Sequence, residues 1–585
     1  MTTDNNQKST ERKSASFSQS CWDHDFVQSL KTDYTKESKY GIRAEKLKED
    51  VRCLLNDRRK ASTGSWSSSA SLLQLINNTQ RLGFSYHFDN EIKDAMRTMY
   101  KDKDIIWEEV DLFTRAVRFR LLRQHGFDVS QDVFESFLEE TRFSKDLMMQ
   151  ACMENNKYVE GILSVYEASF YSIEGEKILE EVREFTSGLL KEYISLSKGQ
   201  QQEVANNKAM MITKRLVTHA LGLPIQWRTQ RMEARWYIDT YEMMKDSMAP
   251  LLLEFAKLDF NMVQATYQED LKYISRWRLE LDYVEILEFS RDRWMETFFW
   301  SVGCHFEPKF RNYRRQLTKL CCLLTTIDDL YDNYCSPDEI KMFTDAIVRW
   351  DINTVEGLPY VLKVCFTAMF NTVNEIAYDV LKNHGFHAIS YLKTSVADFC
   401  KSYLEEAKWH DHTPTLAEYI NVAWFSAGGS LIGCTAFFVL TKEPTKLALD
   451  SIMDYNSSDV RRGAFKILRL TNDLATSSDE IERGDTPSSI QCYMHETGVS
   501  ESAAREHIKH VISETWKKMN GDKFSRSVFS GSFIDAMLNT ARASQCIYQF
   551  GDGYGVAAEP LTKSSAMSMF VEPIPDACGD DNSDI

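Results

Sequence analysis

Two short clusters of oxygen-bearing side chains stand out in this chain. The first is Asp328-Asp329-Leu330-Tyr331-Asp332, which follows the apolar run LTKLCCLLTTI at 317–327. On a helix, Asp328 and Asp332 lie one turn apart on one face, with Asp329 about 100° round. Three carboxylates this close repel one another, and a hard divalent cation would supply the counter-charge. The second cluster, NDLATSSDE at 472–480, begins 144 positions later. Its Asn472, Thr476 and Glu480 recur every four residues and line one face, each offering an oxygen. Neither cluster holds His or Cys, which selects Mg²⁺, with Mn²⁺ as the alternative, over zinc or copper. Mg²⁺ shares phosphate oxygens with a few carboxylates, so two facing helices with sparse ligand sets suit a bridging diphosphate. Arg291 and Arg293 flank Asp292, and Arg469 sits just before Asn472. Their guanidinium forks match phosphate oxygens. Taken singly, each of these features reads more simply as solvated surface charge.

Such clusters need rigid apolar helices behind them. In 585 residues there are only 24 glycines and 11 prolines, about half the usual share, and 43% of residues are hydrophobic. Few breakers and long apolar periodicity predict an all-α fold. A net charge of −17 excludes a nucleic-acid groove and an anionic membrane surface as partners. Thirteen scattered cysteines without a CxxC read as reduced thiols. Val422–Leu440 is long and uncharged enough to span a bilayer, but Gly428-Gly429 interrupts it. It reads as a buried core helix with a break, and no stable membrane insertion is expected. Residues 1–20 read as a flexible strip and 56–71 as a Ser-rich loop. A helical domain is assigned to 21–247, a metal-binding catalytic domain to 248–560, and a disordered acidic tail to 561–585.

The ordered motifs resemble those of plant class I terpene synthases. DDLYD at 328–332 matches the family's DDxxD, NDLATSSDE its NSE/DTE motif, and Arg291-Asp292-Arg293 its RxR. Arg12-Lys13, eight residues before Trp22, resembles RRx8W with Lys for the second Arg. The likeness runs over about 12–573. It implies a relict α-barrel-like N-terminal domain and a C-terminal helical bundle holding the active site. No DxDD is present, so proton-initiated cyclisation is not implied.

Carried over residue by residue, Asp328 and Asp332 would bind metal with Asp329 in support. Asn472, Thr476 and Glu480 would bind it opposite. Three Mg²⁺ are implied with bound diphosphate. Arg291, Arg293 and Arg469 would grip the diphosphate, with Asp328, Asp332 and Asn472 contacting it through metal. Trp300 would floor the pocket, and Asp552 and Tyr554 would stand at the rim where a proton is taken. The Ser426–Gly429 break would aim carbonyls at the cation, and the strip from Arg12 to Trp22 would cap the closed site.

The implied reaction is ionisation of an acyclic prenyl diphosphate and quenching of the carbocation to a terpene. Eleven residues before Arg12 point to a cytosolic enzyme using farnesyl diphosphate and making a sesquiterpene. The HETG and YQFGDGYG segments resemble the monoterpene branch, which uses geranyl diphosphate, and a longer natural N-terminus would make the enzyme plastidic. The chain is expected to be a monomer or weak homodimer. Competing readings are an inactive helical binding protein, a synthase for a longer prenyl chain, a chain-elongating prenyltransferase, and a phosphohydrolase built on His410-Asp411-His412.

Overall fold

A computed structural model describes residues 20–62, 66–101, 107–141, 145–199, 207–245, 248–281, 289–410, 412–455, 459–483, 487–524, 527–554 and 560–575. Among them there is no strand; the expected all-α architecture is what forms. Two apolar cores organise the helices. The first gathers side chains from Trp22 to Phe306 together with Met569, Phe570 and Ile574. The second gathers side chains from Trp300 to Ala543. Eight helices of the C-terminal half carry or brace the residues with chemistry. They are α1 (Pro250–Glu280), α2 (Trp294–Cys304), α3 (Arg311–Asp329), α4 (Ile389–Glu406), α5 (Leu416–Ser426), α6 (Gly429–Leu440), α7 (Asp459–Arg483) and α8 (Gly531–Ile547).

Pro250 opens α1, where its missing N–H costs nothing because first-turn donors are unpaired anyway. The sequence boundary at 247/248 lies two residues before this helix start. Packing does not divide there, however: α1 buries Leu252, Phe255, Phe260 and Tyr267 in the first core. The halves also meet through polar groups. Asn520 Nδ2 donates to the carbonyls of Phe170 and Ser172 at 3.0 Å, and Arg542 Nε donates to Gln226 O at 2.8 Å.

Two sequence expectations need correction. The Ser-rich stretch 56–71 is largely helical, within Lys39–Ser62 and Trp66–Arg81, with only 63–65 outside the described residues. Arg58 Nη1 donates to Ser71 O at 3.0 Å, and buried Leu72, Leu73 and Ile76 hold the second helix, so packing overrides the weak helix propensity of serine. The tail is not disordered from 561: Pro560–Ala566 is helical, followed by a π-helical turn over Met567–Val571. Phe570 is fully buried, Gln268 Nε2 donates to its carbonyl at 3.0 Å, and Asn261 Nδ2 donates to Ile574 O at 2.9 Å. Residues 576–585 lie outside the described set, as do Arg12 and Lys13. Trp22 is buried in the first core.

The apolar run at 422–440 is split into α5 and α6, bent by 46°. No single helix among the described residues is long and apolar enough to cross a membrane, although this bent pair passes by length and composition. Gly428 makes the bend at φ +85°, and a Cβ on Gly429 would lie 2.5 Å from the ring and carbonyl of Trp424. Residues 429–438 of α6 are all buried in protein.

Candidate functional site

Helix α3 delivers the first cluster. Its apolar side packs Leu317, Leu320, Leu323 and Ile327 into the second core, leaving Asp328 at the open end. The regular helix stops at Asp329. Leu330–Tyr334 forms a π-helical turn, closed by Cys335 N–H donating to Leu330 O at 2.9 Å. Such widened turns recur at functional sites. Asp332 therefore does not sit on a regular α-helical face. It is exposed, while Asp328 is partly buried and lines a cavity. Protein packed around Asp332, then the charges of Asp328 and Glu406, push its carboxyl well above the usual carboxylate range. Because the side chain keeps solvent, the repulsion is the stronger ground for that direction.

Arg291 is committed to this wall. Its backbone N–H and Nε donate to Asp329 at 2.7 and 2.8 Å, and its Nη2 donates to Asp328. Asp329 is 1% exposed and also accepts from Ser290 Oγ at 3.1 Å. Burial pushes the Asp329 carboxyl up to about 6, with Arg291 pulling the other way. The three donors aimed at it support the ionised, paired form. Burial also opposes the Arg291 charge, but Asp329 and then Asp328 outweigh it and raise its pKa. Arg291 thus stiffens the first cluster from behind.

The second cluster rides on α7, whose apolar face buries Ala464, Phe465, Ile467 and Leu470. Arg469 and Asn472 line the same cavity as Asp328. Arg469 Nη2 donates to Ser426 Oγ at 3.2 Å, while its buried Nε has no partner. Thr476 is buried and donates to Asn472 O at 3.0 Å. Glu480 is on α7, but its side chain lies outside what is described. Asp473 turns away from the cavity, accepting from Tyr419 Oη at 3.0 Å and Ser489 N–H at 3.1 Å, and so pins α7 to its neighbours.

The cavity between these walls holds about 840 Å³ of space, mouth included. Trp300 lines it, with Leu324, Phe399 and Ile432, and so does Tyr554. Asp552 is not among its lining and accepts from Tyr554 N–H at 3.2 Å. Arg293 is buried outside it and donates to Asp292 O at 3.2 Å. The structure therefore brings Arg291, Trp300, Asp328, Arg469, Asn472 and Tyr554 to one cavity. It leaves Arg293, Asp329 and Asp552 supporting it from outside. His412 is exposed, and Asp411 and the His410 side chain lie outside the described residues.

Two residues of the site, Tyr403 and Glu406, escaped the sequence reading, and Ser426 of the expected helix break joins them. Tyr403 on α4 donates its one proton to Asp328 Oδ1 at 2.5 Å, and its oxygen lies 3.2 Å from Ser426 O. Ser426 donates to Glu406, which burial pushes up to about 7 despite the nearby Arg469 charge. One chain of contacts therefore runs from Asp328 through Tyr403, Ser426 and Glu406 toward Arg469, joining the walls at the helix break. Among the described residues, no three His, Cys, Asp or Glu side chains converge to hold an ion alone. The donor set nevertheless fits Mg²⁺, which takes one or two carboxylates and fills its shell with water and phosphate oxygens. The unpartnered Arg469 Nε fits an anion on the same cavity.

Comparison with known proteins agrees with this geometry. Residues 21–221 match the family described as terpene synthase, N-terminal domain, and residues 279–518 match the terpene synthase family, metal binding domain. The chain is 46% identical over 569 residues to Terpene synthase 10 of Ricinus communis, covering 96% of this chain and 98% of the relative. It is 46% identical over 568 residues to (-)-alpha-terpineol synthase of Vitis vinifera, covering 96% and 91%. It is 45% identical over 569 residues to the chloroplastic myrcene synthase of Quercus ilex, covering 96% and 90%. Among solved structures, limonene synthase with 2-fluorolinalyl diphosphate superposes with a TM-score of 0.84 at 36% identity, covering 96% of this chain and 100% of that one. Isoprene synthase from grey poplar, with three Mg²⁺ ions and dimethylallyl-S-thiolodiphosphate, gives 0.81 at 38%, covering 95% and 99%.

Proposed function

The chain belongs to the plant class I terpene synthase family, and from that premise we propose that it ionises geranyl diphosphate and releases a monoterpene. The observation that carries the reading is one cavity with Asp328 on one wall and Arg469 and Asn472 on another. The relatives named for monoterpenes favour the ten-carbon substrate over the farnesyl expectation, and a relative named chloroplastic favours a plastid over the cytosol.

Asp328 and Asp332 would hold divalent metal at one wall, and Asn472, Thr476 and Glu480 would hold it at the other. Mg²⁺ bound there, three ions as in the isoprene synthase complex, would supply neutralising charge for a departing diphosphate. Arg469, whose Nε has no protein partner, lines the same cavity and would meet the same anion, and Arg291 keeps Asp328 and Asp329 in place. When the allylic C–O bond breaks, its electron pair leaves with the diphosphate oxygen and the cation stays in the cavity. The face of Trp300 stabilises that cation without attacking it. The Tyr403 hydroxyl and the Gly428 bend fix the Ser426 carbonyl at the cavity edge. A proton then leaves a carbon beside the cationic centre, near the Tyr554 rim, and the released diphosphate takes it. Water must be kept from the cation throughout this sequence.

The test supplies purified protein and Mg²⁺ with geranyl or farnesyl diphosphate in separate vessels and identifies the volatile products. A monoterpene formed faster from geranyl diphosphate, and lost with EDTA, is expected. Preference for farnesyl diphosphate would restore the sesquiterpene reading, and silence from folded protein would point to an inactive binding protein.

A further inference from the structure

Three consecutive residues tie the approach to Arg291 onto the far end of α3. The ring of Phe289 stacks on that of Tyr334, with centroids 4.3 Å apart and planes inclined by 29°. Ser290 Oγ lies 3.1 Å from Asp329 Oδ2, and Arg291 N–H donates to the same oxygen at 2.7 Å. The segment 289–291 therefore runs along the end of α3 and across the π turn that follows it.

That turn is held on its other sides as well. Leu330 is fully buried, and the buried Tyr331 places its hydroxyl 2.5 Å from Thr344 Oγ1. At the exit, Ser336 caps the helix Pro337–Arg349, and its backbone N–H donates to Glu339 Oε2 at 2.9 Å. Between these anchors stands Asp332. It is exposed, and among the described residues no donor bonds to it, while the charges of Asp328 and Glu406 repel it. Its direction is therefore set by the backbone of the turn. A π turn is a rare, locally widened winding, so its geometry depends on what packs against it. Tyr334 is its last residue, half-buried, and Phe289 is the ring laid against it.

We propose that Phe289 and Tyr334 are positioning residues for the first metal wall: their stack holds the π turn in place and so fixes where Asp332 stands relative to Asp328. This rests on the terpene synthase reading above. One stack serves both carboxylates. It reaches Asp332 through Tyr334, and it reaches Asp328 and Asp329 through Arg291, two residues after Phe289. Carboxylates held apart from one another at a set distance before an ion arrives leave less ordering to be done on binding. Groups that brace metal ligands from behind raise metal affinity in this way. If the stack were ordinary packing instead, its loss would lower Tm and leave metal binding by the folded protein unchanged.

The experiment reads Mn²⁺ bound to the full chain by electron paramagnetic resonance, with inorganic diphosphate present, no prenyl substrate, and each variant kept below its melting transition. Wild type should bind Mn²⁺ and Asp332→Ala should bind it more weakly. A wild type that binds none overturns the parent reading and this inference with it. Given wild-type binding, Phe289→Leu and Tyr334→Leu should each weaken it about two- to tenfold, the range of one aromatic pair. Phe289→Tyr keeps a ring at that place and should stay within about twofold of wild type. The double Leu variant should bind about as well as either single one, because the stack is lost only once. Wild-type affinity in the folded Leu variants overturns the inference alone, as does an equal loss in Phe289→Tyr and Phe289→Leu. Should one Leu variant not fold, the other reads the same stack from its opposite side.

Discussion

Replacing Tyr403 with Phe removes one oxygen and nothing else. That oxygen donates its one proton to Asp328 Oδ1 at 2.5 Å and lies 3.2 Å from Ser426 O. A hydrogen bond to a charged group is worth about 1.5–3 kcal/mol. If that holds Asp328 in its reactive position, kcat/KM should fall roughly 10- to 150-fold. The fold should survive, because Asp328 is only partly buried and water can replace the lost donor. Arg291 still grips Asp328 from the other side, so the metal requirement should rise without disappearing. Steady-state diphosphate release, measured across a Mg²⁺ titration, reads both effects. A folded variant with kcat/KM within twofold of wild type at every Mg²⁺ concentration would refute the positioning role of Tyr403.

Other consequences arise from buried groups. Glu296 is 5% exposed, its Oε2 has no partner, and burial pushes its carboxyl up to about 7 from an ordinary 4.5. Folding therefore favours the protonated acid: its contribution is full below about pH 4.5 and lost as pH rises through 7. Glu296→Gln should gain up to about 3 kcal/mol on wild type between pH 5 and pH 8, widening the Tm difference by about 2 °C; a pH-independent difference contradicts the assignment. Gly428→Ala places a side chain at φ +85° with its Cβ 2.8 Å from Ile432 Cδ1. It should destabilise by about 2 kcal/mol and change the product mixture, and an unaltered melting curve would count against the bend as a structural requirement.

The two oxygen-bearing clusters were legible because their spacing is local. Asp328, Asn472 and Thr476 stand at helical spacing on apolar helices, and Arg469 lies one turn before Asn472's face. What joins the motifs was not legible. Tyr403 is one tyrosine on a helix 75 positions from Asp328, and only the bundle brings its hydroxyl there. Arg291 reads from the sequence as a phosphate fork; in the structure its backbone N–H and Nε are bonded to Asp329. Asp332 was read on an α-helical ruler, which the π turn at Leu330–Tyr334 breaks. The segment 561–575 looked like tail because its few apolar residues gain meaning only against α1, where Asn261, Gln264 and Gln268 take its carbonyls.

The most direct test of a reaction housed in this cavity is Asp328→Ala. Metal-dependent diphosphate release from geranyl diphosphate should fall to background, while circular dichroism and Tm stay near wild type, because Asp328 sits at an open helix end. Near-normal release from that folded variant would contradict the placement of the reaction between these two walls.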